Sequence, residues 1–264
     1  TWSDFNMTIK QNEKIANQIL SHYGLNAVQK KEFWDIARYI FEHDEFQRRM
    51  SSEFPHHGEI TLGEHILSDA AQTYKLMLNP KFNKANFDKK IAVVIALFHD
   101  LYTLNWQNNP ENWQEYDYNG HAFRHPLEAI INAISWYPEY FTNEKEAYKI
   151  IDGVIHHMFP VPVKRFDHSP MELKNEKLWS KIADKNKKLI IFSSNRGFKY
   201  QHFSLCPSSF LEGRIMSQAD KMVSVSNYLD DLKQNGLSGI IALFTGGNKN
   251  LSNHEALENF KKRR

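Results

Sequence analysis

The sequence IAVVIALFHDLYTL, residues 91–104, decides how the chain folds. Its first eight residues, Ile91 to Phe98, are all apolar and predict a buried helix. That helix leads directly into His99 and Asp100, which carries an imidazole and a carboxylate to the end of a core element. Burying such a charge costs several kcal/mol unless it is paired or bound to a metal. The pair therefore predicts a site that needs further ligands. A second His-Asp pair, His43-Asp44, lies in a polar helix end and is interpreted as a surface pair.

Composition sets the class of protein. With 264 residues and 41% hydrophobic content, the chain can build one large domain with a true core. We expect a single domain over residues 1–264, with its core at about 26–235. The formal charge of +2 gives no strong sign of a nucleic-acid or membrane surface. One cysteine, Cys206, excludes an intrachain disulfide and is interpreted as structural. Without an apolar run of about 20 residues or a signal-peptide profile, a soluble cytoplasmic protein is expected.

Helical periodicity extends over nearly the whole chain, so we predict an all-α fold. Residues typical of helix starts occur at regular places along the sequence. These are Asn26, the capping box Thr61–Glu64, Asn86 before the central helix, Pro126 as a first helical residue, Asn143, and a second capping box at Ser209–Glu212.

Residues 159–207 differ from the rest of the chain, since they are rich in lysine and carry prolines near both ends. We interpret them as an insertion or lid, because structureless loops of this length are uncommon inside compact domains. A short helix near residues 172–185 and a β-like run at 189–192 are expected within it. Residues 236–264 are predicted to form a C-terminal helical tail.

Seven residues are candidate metal ligands, and each also has an ordinary structural interpretation. His65 can cap a helix, Asp220 can pair with Lys221, and His156 with His157 can interact favourably with a helix C-terminus. Taken together, imidazoles and carboxylates from several helices suit Fe, Mn, Zn or Ni. Two carboxylates and no cysteine indicate an open, catalytic site rather than a structural zinc site. The candidates are His65, His99, Asp100, His125, His156, His157 and Asp220.

The order of His65, then His99-Asp100, then Asp220 resembles the HD-domain superfamily of metal-dependent phosphohydrolases. The resemblance spans about residues 61–232 and is strengthened by GRIMSQADK around Asp220. The strings HDLY, FRHPLEAIINA and IHHMFPVP are also similar to a group of uncharacterised bacterial HD-domain proteins. The resemblance implies an HD-type helical bundle, with the Lys-rich insertion before the helix of Asp220. It implies a first ion held by these four residues, with Asp100 bridging.

Additional histidines make the chain similar to the HD members that hold two ions. By that resemblance, His125 and one or both of His156 and His157 hold the second ion. We favour His157, because neighbouring residues on a helix point about 100° apart and both can hardly be optimal. The implied cofactor is one or two divalent ions of Fe, Mn, Ni, Zn or Mg.

Other residues are candidates for roles around the ions. His57, with His56, can protonate a leaving alkoxide, or the two can form an exposed loop pair. Arg124 and Lys221 can bind phosphate oxygens or form ordinary ion pairs. A last candidate, Asp69, can orient the imidazole one turn before it or lie on the surface.

We therefore expect a phosphohydrolase in which metal-activated water attacks a phosphomonoester or phosphodiester, with nucleotides among the candidate substrates. Asp100 carries the central role. Leu101, Tyr102 and Thr103 stand where the guanosine tetraphosphate hydrolases carry acidic residues, which disfavours that activity. The extra histidine of the deoxynucleotide triphosphohydrolases and the Gly-Lys and Gly-Tyr-Pro of the cyclic-di-GMP phosphodiesterases are also missing. Two alternatives remain: a di-iron HD-type oxygenase, and a non-catalytic metal-containing binding or regulatory module.

Overall fold

The computed structural model describes residues 2–56, 60–82, 86–102, 121–164, 198–200 and 203–226. Helices dominate these residues, which confirms the predicted all-α class. The helices are α1 Trp2–His22, α2 Ala27–Phe41, α3 Asp44–Arg49, α4 Leu62–Met77, α5 Lys89–Phe98, α6 His121–Trp136, α7 Glu144–Ile155 and α8, residues 211–226. Short 3-10 helices occupy Pro80–Phe82 and Pro138–Phe141.

The central helix α5 is buried as its sequence predicts. All residues from Ile91 to Phe98 are at most 2% exposed. This helix contacts α2, α4, α6 and α7, so a fully apolar surface is needed on all of its sides. Its start differs from the prediction, since Asp88 and not Asn86 is the N-cap. The Asp88 carboxylate accepts a hydrogen bond from the backbone N–H of Ile91 at 3.2 Å, whereas Asn86 lies two residues too early.

Three of the other predicted helix starts are confirmed. Asn26 and Thr61 each form a capping box with the residue three positions later, Gln29 and Glu64. Asn143 accepts hydrogen bonds from the first turn of α7. These devices need only neighbouring residues, which is why the sequence alone can predict them.

One predicted helix start and one predicted capping box are wrong. Pro126 lies inside α6, which begins five residues earlier at His121. The capping box at Ser209–Glu212 does not form, because both of its partners are engaged elsewhere. The Ser209 backbone N–H donates to Asp152 at 2.8 Å, and Glu212 accepts from Lys149 at 2.5 Å. Contacts with α7 thus replace the local cap.

A small three-stranded antiparallel sheet joins the two ends of the predicted insertion. Its strands are β1 Val163–Lys164, β2 Phe198–Tyr200 and β3 Phe203–Leu205, in the order β1-β3-β2. Val163 pairs with Ser204, and Phe198 pairs with Leu205. The helix expected at 172–185, the β-like run at 189–192 and the tail at 236–264 lie outside the described residues.

Helix α7 crosses α5 and α8 at Gly153. A Cβ at this position would lie 2.6 Å from the Ile95 side chain, and a Cβ at Gly213 of α8 would lie 2.8 Å from the Gly153 Cα. Both glycines therefore permit close helix packing that any larger residue would obstruct.

Replacing Gly153 with alanine is expected to destabilise the fold by about 1–3 kcal/mol, since the added methyl group overpacks the crossing with Ile95. Urea unfolding measures the change, with Lys145→Ala on the exposed side of α7 as the control. Equal stability of the Gly153→Ala variant and wild type would show that the helices separate more easily than this packing implies.

In the described part of the chain, no helix is both long enough and apolar enough to cross a membrane.

Candidate metal centre

Five helices deliver six of the predicted ligands to one buried cluster. His65 lies in the first turn of α4, while His99 caps α5 and Asp100 follows it. The remaining three lie on α6, just after the end of α7, and on α8. All six residues are at most 8% exposed. They are His65, His99, Asp100, His125, His157 and Asp220. We refer to these six residues as the cluster.

Asp100 lies between two pairs of histidines in the cluster. Its Oδ2 atom is 3.6 Å from the Nε2 atoms of both His65 and His99. Its Oδ1 atom is 3.2 Å from His125 Nε2 and 3.6 Å from His157 Nε2. Each carboxylate oxygen thus faces its own pair of imidazole nitrogens, which is how a carboxylate bridging two ions is placed.

His125 and His157 approach each other through the nitrogens that face Asp100. Their Nε2 atoms are 3.0 Å apart. Two nitrogens bound to one ion at about 2.1 Å, at right angles, lie about 3 Å apart. The separation therefore suits two ligands of the same ion.

Backbone carbonyls fix the tautomers of two cluster histidines. A carbonyl oxygen can only accept, so His99 Nδ1–H donates to Ala96 O and His157 Nδ1–H donates to Val154 O, each at 2.7 Å. In the neutral rings the Nε2 atoms then carry the lone pairs. This is the outer hydrogen bond that metal-bound histidines usually make, and it leaves Nε2 facing the centre of the cluster.

Asp69 reaches the same centre, so its predicted surface alternative is wrong. The side chain is 0% exposed. Its Oδ2 atom lies 3.1 Å from His65 Nε2 and 3.0 Å from His99 Nε2. The sequence indicated this position, because Asp69 follows His65 by four residues and residues four apart on a helix share one face.

Buried charge in the cluster favours a cation. His65, Asp69, His99 and Asp220 form one of three groups of side chains whose ligand atoms all lie within 4.8 Å of one another. Several of their buried polar atoms, including His99 Nε2 and both Asp69 carboxylate oxygens, make no hydrogen bond with the part of the chain that the structure describes. Burial raises the pKa values of Asp69 and Asp220, because their ionised forms lose hydration. The donor set therefore fits divalent ions.

His156, the other member of the predicted pair, faces away from the cluster. Its Nδ1 lies 3.0 Å from the Asp152 backbone oxygen, and its Nε2 lies 3.3 Å from Cys206 Sγ. His156 is the C-cap of α7, so the chain turns between the two histidines and only His157 contacts Asp100. The structure thus brings His157, and not His156, to the site.

His56 joins the site from the loop before α4. Its ring stacks on His65 with centroids 3.9 Å apart, and its Nδ1 lies 3.2 Å from the Tyr102 hydroxyl. His56 is buried, so the alternative of an exposed loop pair is wrong for this residue. His57 lies outside the described residues, as does the side chain of Arg124.

Lys221 and the His43-Asp44 pair make local contacts. Lys221 Nζ donates to the backbone and hydroxyl oxygens of Ser217, at 3.0 and 2.5 Å, one turn earlier in α8. His43 caps α3, where its ring accepts from the Glu45 backbone N–H, and Asp44 is exposed. The surface interpretation of Asp44 thus agrees with the structure.

Two buried side chains hold the segment that follows Asp100. The Arg49 guanidinium donates two hydrogen bonds to Tyr102 O, at 3.1 and 2.6 Å. Asn132 Nδ2 donates to Leu101 O at 2.6 Å. Arg49 is 0% exposed, pairs with Glu45 at 3.0 Å and lies over the ring of Trp136. These contacts fix the backbone that carries Asp100.

The stability of the metal-free protein is expected to fall as the pH rises from about 7 to 9. Burial lowers the His99 pKa, but the nearby carboxylates Asp100, Asp69 and Asp220 raise it more, from 6.5 to about 10. Burial raises the Asp69 pKa from 3.8 to about 8. Between pH 7 and 9 the folded protein therefore holds protons that the unfolded chain has released. Each such group lowers the free energy of unfolding by up to about 1.4 kcal/mol per pH unit.

Thermal unfolding in EDTA and in Mn²⁺, across the same pH range, measures this effect. Bound ions displace the protons, so the stabilisation by Mn²⁺ should increase with pH. The pKa values of Asp100 and His157 are lowered, so these two groups change the stability below about pH 6.5 and not between pH 7 and 9. A metal-free stability that is constant or rises from pH 7 to 9 would contradict the assignment of the buried protons.

A scan against protein-family models, a search of curated proteins and a search of solved structures find no match to this chain.

Proposed function

We propose that the cluster binds two divalent metal ions and that the protein hydrolyses a phosphate ester. The observation that carries the proposal is the position of Asp100, whose two carboxylate oxygens face separate pairs of histidines at 3.2–3.6 Å. The resemblance of the ligand order to the metal-dependent HD phosphohydrolases supports the same activity.

The side chains divide between two ion positions. His65, His99 and Asp220 lie on one side of Asp100, and His125 with His157 lies on the other. Divalent ions, when bound, lower the pKa of water and polarise a phosphoryl oxygen, which is the chemistry that ester hydrolysis needs. The chain supplies neutral imidazoles whose tautomers are fixed by Ala96 O and Val154 O, so that the Nε2 lone pairs face the ions.

An anionic substrate suits this centre better than a neutral one. Two divalent ions bring four positive charges, and the carboxylates at the centre, Asp69, Asp100 and Asp220, bring three negative ones. The loaded centre therefore stays positive and attracts phosphate oxygens. Phosphomonoesters and phosphodiesters, nucleotides among them, are the proposed substrate class.

Hydrolysis assays on the Mn²⁺-loaded protein test the proposal. The substrates are p-nitrophenyl phosphate, bis-p-nitrophenyl phosphate, nucleotides and cyclic dinucleotides, each with Asp100→Ala as the control. Turnover that disappears in the variant supports the proposal. Failure to hydrolyse any of them, or equal rates in the variant, would refute it, and O₂ consumption by the iron-loaded protein would then favour the oxygenase alternative.

A further inference from the structure

We infer that Asp69 is a direct ligand of the ion held by His65 and His99, and so a third carboxylate ligand of the centre. This inference rests on the proposed metal binding. It goes beyond the ligand order His, His-Asp, Asp, in which no residue corresponds to Asp69.

Asp69 approaches the Nε2 atoms of His65 and His99. A carboxylate that only orients a metal-bound histidine accepts a hydrogen bond from the ring nitrogen that does not bind the metal. For His99 that nitrogen is Nδ1, and it already donates to Ala96 O at 2.7 Å. Asp69 Oδ2 instead lies 3.0 Å from His99 Nε2, on the side that faces the centre. Asp69 therefore occupies the place of a ligand.

The close contact between Asp69 and His99 fits two ligands of one ion. When an ion lies at Nε2, the proton of the neutral His99 ring stays on Nδ1, which donates to a carbonyl. Nε2 and Asp69 Oδ2 lie 3.0 Å apart, which is about the separation of two ligands of one ion. Such a contact is stabilised when a cation lies against both atoms, as when two ligands share one ion.

Burial of the Asp69 carboxylate also favours a bound ion. Asp69 is 0% exposed, and neither of its carboxylate oxygens makes a hydrogen bond in the described residues. A buried ionised carboxylate costs several kcal/mol unless a positive charge lies against it. Since Asp69 Oδ2 is also 3.1 Å from His65 Nε2, a single ion can satisfy this carboxylate and both imidazoles.

Variants at residue 69 separate a ligand from an orienting residue. Asparagine keeps the size and an oxygen that accepts hydrogen bonds, but it loses the charge that makes a strong ligand. We expect Asp69→Asn and Asp69→Ala to weaken the binding of one Mn²⁺ ion by similar factors, roughly 10-fold or more. Calorimetric titration measures this, and Asp35→Asn on the exposed face of α2 is the matched control.

The absorption spectrum of the Co²⁺-loaded protein gives a second readout, because it reports the number and type of ligands. The spectrum should change in Asp69→Asn and remain unchanged in Asp35→Asn. Should Asp69→Asn fail to fold, Asp69→Glu keeps the charge but displaces the carboxylate by one methylene, and it should weaken Mn²⁺ binding.

The outcomes distinguish this inference from the proposed function. The inference is overturned if Asp69→Asn keeps the Mn²⁺ affinity and the Co²⁺ spectrum of wild type while Asp69→Ala binds Mn²⁺ more weakly. That result would show that Asp69 orients a ligand and is not one itself. If wild type itself binds neither ion, the proposed metal function fails together with the inference.

Discussion

Asp100→Ala is expected to give a folded protein that has lost tightly bound metal and nearly all phosphate-ester hydrolysis. The carboxylate of Asp100 faces four imidazole nitrogens at 3.2–3.6 Å, and both proposed ions depend on it. Loss of an outer partner of a ligand costs about 10–100-fold in metal affinity or activity, so loss of the shared ligand should cost at least about 10³-fold in activity.

Elemental analysis and steady-state rates of the purified variant measure both effects. Asp35→Ala is the control, because Asp35 is an exposed carboxylate that pairs with Lys31 on the surface of α2. Asp100 lies at a helix end and contacts the cluster, so the variant should retain the helical circular dichroism of wild type. Metal content and activity close to wild type in a folded Asp100→Ala protein would refute the bridging role of this residue.

Arg49→Met is expected to cause the largest loss of stability, about 3 kcal/mol or more. The guanidinium is fully buried and supplies the donors for Tyr102 O and for the Glu45 backbone oxygen. Methionine fills part of the space but removes these hydrogen bonds and the buried counter-charge of Glu45. For a chain of this length, such a loss lowers the melting temperature by about 10 °C.

The adjacent Arg48 provides a matched control for Arg49. Its side chain is 53% exposed and lies 3.9 Å from Glu45, so Arg48→Met should change stability by less than about 0.5 kcal/mol. Because Arg49 holds the backbone just after Asp100, Arg49→Met should also weaken Mn²⁺ binding. Similar unfolding curves for the two variants would show that the buried guanidinium contributes little.

Local sequence patterns predicted the elements whose causes are local. The apolar run before His99 defines a buried helix, and the capping boxes at Asn26 and Thr61 involve residues only three apart. Predictions failed where a distant partner competes. Glu212 pairs with Lys149 of another helix, 63 residues away, so the local capping box at Ser209 does not form. No pattern within ten residues contains that information.

The same distinction applies to the site. The predicted ligands His65, His99, Asp100, His125 and Asp220 meet in the structure, since each lies on a helix, or directly after one, whose buried face the sequence indicates. The choice between His156 and His157 depends on where α7 ends, and the C-cap turns His156 toward Cys206. His56 enters from a loop, where periodicity gives no direction for the side chain.

Anomalous diffraction from crystals grown with Mn²⁺ tests the central claim most directly, because it locates the ions without relying on activity. We predict two anomalous peaks, one within about 2.3 Å of each carboxylate oxygen of Asp100. One peak should also contact His65 and His99, and the other His125 and His157. A Mn²⁺-saturated crystal with no peak among these residues would contradict the metal centre and the function built on it.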